Sequence, residues 1–299
     1  MEILTTKGLT KTYRGRNVVN GVNMRVEKGD IYGFIGKNGA GKTTLMKMVC
    51  GLTRTSAGDF TLFGSKDLGA GRKKIGCVIE QPALYPGMSA KENLLYYSKM
   101  QGCEKTTNVD ELLNLVGLPD TGKKKAKKFS LGMKQRLSIA IALLGDPEFL
   151  VLDEPMNGLD PAGIREIREL LLKLHEEKQI TILMSSHILG ELGKIATKYG
   201  IINSGVLVEE FSAKELENRA KHFLHIVVND SEKAQCILTE TCNIMQIKSL
   251  EDGSLCVYEQ LENAAMLNQA LVQNGVMVSG LTVRGQDVEM YFVNRMGGM

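Results

Sequence analysis

Residues Gly36-Lys37-Asn38-Gly39-Ala40-Gly41-Lys42-Thr43 keep the spacing G-x-x-x-x-G-K-[ST]. That spacing suits phosphate. Glycines let the backbone curl so that successive N–H groups converge on phosphate oxygens, and a helix opening at the end of the loop adds partial positive charge. Lys42 brings a point charge for the β- and γ-phosphates of a nucleoside triphosphate, and the Thr43 hydroxyl a ligand for Mg²⁺. Further on, Asp153 and Glu154 follow four apolar residues, Phe149-Leu150-Val151-Leu152. Ligands of α/β sheets sit at the carboxyl ends of strands. There Asp153 can hold Mg²⁺ through a water, and Glu154 can reach an attacking water as general base. An isolated Asp-Glu pair is most often a solvated turn; the apolar run before it and the phosphate loop upstream reverse that reading. His187 follows Ser185-Ser186 at the end of the next expected strand. A lone histidine is more often a structural hydrogen-bonder, but on a strand beside 149–152 it would stand near the γ-phosphate.

These groups need elements to carry them. Residues 1 to about 35 read as short strands separated by turns, with 22–26 alternating and 31–35 a short, mostly apolar run of the kind a buried strand shows. A helix is expected over about 42–49, mostly helical structure over 85–145, and buried strands at 149–152 and 180–184. Pro161 sits at the first position of a long helix that runs to about residue 177, with Asp160 as its N-cap. Strands alternating with helices imply an α/β domain with a parallel sheet. The pattern changes near residue 216. Beyond it we read strand, helix, strand, strand, helix, strand, helix, with 244–249 and 255–258 joined across Glu251-Asp252-Gly253. The division expected is 1–215, an α/β domain, and 216–299, a small α+β domain.

A second anion site lies between the two chemistries. In Phe129-Ser130-Leu131-Gly132-Met133-Lys134-Gln135-Arg136, Ser130 is a good N-cap for a helix carrying Leu137, Ile141 and Leu144, and the N-terminus of that helix attracts anions. With this motif, residues 2–215 resemble the nucleotide-binding subunits of ABC transporters, whose signature is usually Leu-Ser-Gly-Gly-Gln. Here the serine and second glycine are kept, and Leu131 and Met133 differ. The resemblance implies a P-loop ATPase fold with a parallel-sheet core, an antiparallel β-subdomain and a helical subdomain. It implies ATP and Mg²⁺, bound by 36–43 with Thr44, Asp153 and Glu80. Glu154, His187 and Lys42 would carry the hydrolysis. It also implies two composite sites in a head-to-tail dimer, either a homodimer or a pseudo-symmetric heterodimer. In each site Ser130 and Gly132 of one subunit face the γ-phosphate held by Lys42 of the other. Asn157-Gly158-Leu159-Asp160 resembles the loop linking those sites, and Tyr13 stands where the family stacks an aromatic ring on adenine, a contact worth ~1–3 kcal/mol in nucleic-acid systems.

Counted from Ile75-Gly76, the family's metal-sensing glutamine falls on Glu80; a slip of one residue would put Gln81 there. A glutamate ligates Mg²⁺ more strongly than an amide and also repels the γ-phosphate. Glutamate here, the Ser-Leu-Gly-Met-Lys-Gln-Arg signature and the ending Asp287-Val288-Glu289-Met290-Tyr291-Phe292 resemble the bacitracin and lantibiotic self-protection branch. That branch implies export of a peptide antibiotic or other drug through a separate membrane permease, with residues 85–93 beside the groove for a permease helix. The run Lys123-Lys124-Lys125-Ala126-Lys127-Lys128 reads first as a solvated surface, then as an attractor of nucleotide phosphates or anionic lipid.

Bulk properties narrow the class. Of 299 residues 43% are hydrophobic, enough to bury a large core. Mean hydropathy is −0.08, and no apolar run approaches the ~20 residues of a membrane span. The net charge of +3 is too mild to argue for nucleic acid, so no nucleic-acid partner is expected. The six cysteines form no CxxC or zinc-ligand spacing and read as buried thiols in a reducing compartment. The N-terminus lacks a signal-peptide pattern. The expected location is cytoplasmic, on the inner face of the membrane through the permease. Two rivals differ in class. A non-transporter ABC ATPase of ribosomes or DNA would carry two cassettes or a long coiled-coil insertion, whereas this chain has one signature and no such heptads. A P-loop kinase or GTPase leaves the signature, the 157–160 loop and His187 unexplained together.

Overall fold

The computed structural model describes residues 1–80, 84–103, 108–187, 189–219, 222–250 and 252–284. Gln81, the ending 287–292 and the final helix expected beyond residue 284 lie outside the described residues. The chain forms two compact units, one over Met1–Ala213 and a second that begins at Lys214.

The first unit opens with β1 (Glu2–Tyr13), β2 (Arg16–Val22) and β3 (Arg25–Glu27). β1 is long enough to pair β2 with its carboxyl half and β3 with its amino half, both antiparallel. The single alternating segment expected over 22–26 is broken. Thr6 and Asn23 explain the break: the Met24 N–H donates to Thr6 Oγ1 at 2.8 Å and the Gly8 N–H to Asn23 Oδ1 at 2.8 Å. The Thr6 N–H still donates to the Met24 carbonyl at 2.9 Å, but side chains take the other bonds, and β3 resumes from Arg25. β4 (Ile31–Ile35) follows, then α1 (Lys42–Val49), β5 (Ala57–Leu62), which joins the antiparallel sheet on β1, α2 (Leu68–Arg72) and β6 (Ile75–Val78).

Among the described residues, the stretch expected to be mostly helical holds three helices, α3 (Ala90–Gln101), α4 (Val109–Leu115) and α5 (Leu131–Ala142). Between α4 and α5 only short 3₁₀ turns form, at Pro119–Thr121 and Ala126–Lys128. Then come β7 (Phe149–Leu152), α6 (Pro161–Lys178), β8 (Thr181–Ser186), α7 (Leu189–Leu192), β9 (Lys198–Asn203) and β10 (Val206–Ser212); α8 (Ala213–Arg219) runs on into the second unit. The central sheet has the order β10-β9-β4-β8-β7-β6, parallel except for β10 at the edge. Every residue of β4, β7 and β8 is buried, which is why these segments read as apolar runs and not as alternating ones. Fully burying each Leu, Val or Phe contributes about 1.5–3 kcal/mol. That burial fixes the strands whose carboxyl ends carry the candidate chemistry.

The second unit runs β11 (Phe223–Val228), α9 (Ser231–Glu240), β12 (Ile247–Ser249), β13 (Leu255–Val257), α10 (Ala264–Gln273) and β14 (Val278–Arg284). Its sheet is antiparallel in the order β12-β13-β11-β14, the split βαβ arrangement. Leu224, Ile226, Leu255 and Val257 face Ala234, Leu238, Leu267 and Leu271 of the two helices in one core.

All six cysteines are free thiols, but only Cys256 is buried; Cys77 and Cys236 are exposed. The expectation of buried thiols is corrected for those two. β6 is the edge strand of the central sheet, so the side chain of Cys77 meets solvent. Cys236 lies on the outer side of α9, whose Ala234 and Leu238 face the core.

Candidate functional site

The loop between β4 and α1 is shaped by what its glycines allow. Gly36 leaves the strand where a Cβ would stand 2.5 Å from the Ile202 carbonyl oxygen. Gly41, at φ +111°, turns the chain into α1 through a conformation open to glycine. Among the described residues no side chain caps α1, which leaves its first N–H groups to an anion. The loop encloses a cavity of about 150 Å³ lined by Val18, Lys37 through Thr44, and Glu154. Lys42, 5% exposed, donates from Nζ to the Gly36 carbonyl at 2.6 Å and stands 3.3 Å from Glu154 Oε1.

β8 lies between β4 and β7 in the sheet. The phosphate loop, the acidic pair and the histidine therefore arise from three adjacent strand ends. The Thr43 hydroxyl donates to Asp153 Oδ2 at 2.7 Å. The Ser185 hydroxyl donates to Asp153 Oδ1 at 2.7 Å and accepts from the Glu154 N–H at 2.8 Å. Glu154 holds a left-handed backbone, φ +50°, a cost of about 1–3 kcal/mol that surrounding contacts must offset. The His187 Nδ1–H donates to Glu154 Oε2 at 2.6 Å. Among the described residues Glu154 Oε1 is buried without a hydrogen-bond partner; Lys42 faces it as a charge, without an aligned hydrogen bond. An orphaned carboxylate oxygen aimed into a cradle of backbone donors fits a site that handles a water beside a phosphate. Thr43 and Asp153 offer oxygen only, the donor type that Mg²⁺ takes.

Other expected residues lie elsewhere. Ser130 caps α5, its Oγ accepting from the Met133 N–H at 3.2 Å. Neither Ser130 nor Gly132 lines the loop cavity; Leu131 and Gly132 instead pack on the 157–160 loop, through Gly158 and Leu159. Asp160 caps α6, accepting from the Gly163 N–H at 3.1 Å. Tyr13 is 46% exposed, with the Lys11 ammonium 4.8 Å from its ring centre, and is not among the cavity's lining residues. Glu80, at φ +62°, accepts from Lys47 Nζ at 2.5 Å. A larger cavity of about 380 Å³, lined by Ile3, Leu143 and Leu174, touches Glu148 and Ile180 at the amino ends of β7 and β8, and holds none of these groups.

Three contributors escaped the sequence reading. Val18 walls the cavity from the β1–β2 hairpin. Ser185 ties Asp153 to the Glu154 backbone; a serine within an apolar strand was its signal. Lys47 repeats Thr43 one turn along α1, and its signal was that i,i+4 spacing.

A phosphate loop after one parallel strand, an acidic pair after a second and a histidine after the strand between them define a P-loop nucleoside triphosphatase. The ABC transporter family pattern matches residues 19–157. The bacitracin transport ATP-binding protein BcrA of Bacillus licheniformis is 42% identical over 299 residues, 99% of this chain and 98% of that one. The lantibiotic transport ATP-binding protein SrtF of Streptococcus pyogenes is 42% identical over 221 residues, 74% of this chain and 96% of its own. A solved ATP-binding subunit of an ABC transporter superposes with a TM-score of 0.63 at 27% identity, over 72% of this chain and 92% of that one. The chain belongs to the ATP-binding subunits of ABC transporters. It binds nucleotide and hydrolyses ATP.

Proposed function

We propose that two copies, or one copy and a close relative, close head to tail over two MgATP, and that their hydrolysis drives a separate membrane permease. The observation that carries this reading is one chain with two separate phosphate-type sites: the cradle around Lys42, and the capped helix start at Ser130 that lies outside that cradle. Such halves complete each other only between subunits.

In this reading the loop amides of residues 37–44 and Lys42 hold the triphosphate. Thr43 and Asp153, and Glu80 from the loop beyond β6, would hold Mg²⁺. When bound, Mg²⁺ neutralises phosphate charge. Ser130 and Gly132 of the partner cover the γ-phosphate, and Tyr13 stacks on adenine. Asp160 and the loop it ends couple the two sites. Glu154 takes a proton from water as the water oxygen bonds to the γ-phosphorus. The bond from that phosphorus to the bridging oxygen breaks, and ADP and inorganic phosphate result. His187 holds Glu154 by its Oε2, leaving Oε1 for the water. Contacts made only with the γ-phosphate differ between bound and hydrolysed states, as a two-state engine needs.

The branch of the relatives supports export of a peptide antibiotic of the bacitracin or lantibiotic kind, at the inner face of the membrane. Tyr85 of the segment 85–93 packs with Tyr96 further along α3, ring centres 4.5 Å apart, and we assign this face to a permease helix. The second unit, which begins at Lys214, is the accessory domain. Replacing Glu154 by Gln tests the core of this reading: binding of ATP should persist while turnover disappears, and unchanged turnover would remove Glu154 from its role.

A further inference from the structure

Lys47 stands four residues beyond Thr43 on α1, on the same face and about 6 Å along the axis. Helical side chains lean toward the helix N-terminus, so Lys47 leans back toward Thr43. Its Nζ donates to Glu80 Oε1 at 2.5 Å, and the two side chains are 31% and 61% exposed. A pair this exposed contributes about 0–1 kcal/mol to stability, which gives folding little use for it. Yet Glu80 sits at φ +62°, a backbone that costs a glutamate about 1–3 kcal/mol. A strained backbone whose side chain is tied to one cation marks a carboxylate that is being aimed.

The charges around Thr43 say why. Asp153, Glu154 and Glu80 are three carboxylates, and Lys42 is already engaged by the Gly36 carbonyl and faces Glu154. A further negative group beside a triphosphate requires a counter-charge. The geometry points to Lys47 as the positioning residue of Glu80: its ammonium offsets the glutamate's repulsion of phosphate and ties the carboxylate to the α1 face that carries Thr43. An amide at position 80 would need no such partner. This inference rests on the metal role given to Glu80 above.

A double-mutant cycle tests it in the full chain carrying Glu154→Gln, which prevents turnover. The readout is the Mg²⁺ concentration that gives half of the Mg²⁺-dependent rise in affinity for a fluorescent ATP analogue. Lys47→Met should raise that concentration about fivefold or more, and Lys47→Arg should restore most of it. Once Glu80→Gln is present, Lys47→Met should shift it less than about twofold. Equal shifts with and without Glu80→Gln overturn the inference while leaving Glu80 its role. If Glu80→Gln alone does not move the Mg²⁺ requirement, the role of Glu80 falls and the inference with it.

Discussion

His187 and Glu154 are joined across the ends of two neighbouring strands, β8 and β7, by a hydrogen bond of 2.6 Å. The histidine ring fixes one carboxylate oxygen and leaves the other, Oε1, turned to Lys42. His187→Ala should therefore lower kcat by about 10²-fold or more, the scale of a lost acid–base contribution, while the affinity for ATP stays close to that of the parent. Steady-state ATPase assays beside equilibrium nucleotide binding measure both. A parallel loss of affinity and rate would show that His187 holds nucleotide and does not orient Glu154.

Ser185 is the hinge of the same cluster. It is fully buried, and its hydroxyl serves both Asp153 Oδ1 and the Glu154 N–H. Ser185→Ala leaves two buried polar groups without partners, each costing about 1–3 kcal/mol. Denaturant unfolding should report a loss of about 2–6 kcal/mol, accompanied by lower turnover. Stability unchanged within about 0.5 kcal/mol would mean that water takes over both bonds.

Ser130 has two separable duties, capping α5 and facing the partner's nucleotide. Aspartate caps a helix as well as serine does but repels a γ-phosphate. Ser130→Asp should thus unfold within about 0.5 kcal/mol of the parent and lose nearly all ATPase activity. Retained activity would take Ser130 out of the site.

Glu92 provides a pH-dependent control remote from the chemistry. Its carboxylate accepts the Ser89 N–H at 2.6 Å and the Lys125 ammonium at 2.9 Å. The backbone bond from Ser89 first, then Lys125 and the Ser89 hydroxyl, lower its pKa from 4.5 to about 2. A carboxyl lowered on folding stabilises above its unfolded value and loses that contribution as pH falls through the folded one. Protection of the first amides of α3 against hydrogen exchange should hold at pH 5 and above, and decline between about pH 4.5 and about pH 2. Glu92→Gln should flatten that profile; an equal decline in the variant would place its cause elsewhere.

Much of the site's scaffold was legible because local and tertiary signals agreed. Apolar runs at 31–35 and 149–152 became β4 and β7, the helix expected at 42–49 is α1, and Asp160 and Pro161 open α6 as their types require. The break within 22–26 was hidden because it depends on Thr6, far off in sequence. A serine inside an apolar strand marks Ser185 as unusual, but its partners, Asp153 and the Glu154 N–H, lie at the end of another strand and only the fold supplies them. The direction of Glu80 could not be read either: whether a loop carboxylate turns to a metal site or to Lys47 depends on which helix face lies opposite, and only the fold brings α1 beside the end of β6.

The mass of the Glu154→Gln protein with MgATP, measured by light scattering beside the same protein carrying Ser130→Asp, probes the shared site most directly. The first should double from 32.8 kDa and the second should not. A parent enzyme that turns over MgATP at full rate as a single 32.8 kDa chain, with or without Ser130, would contradict the account.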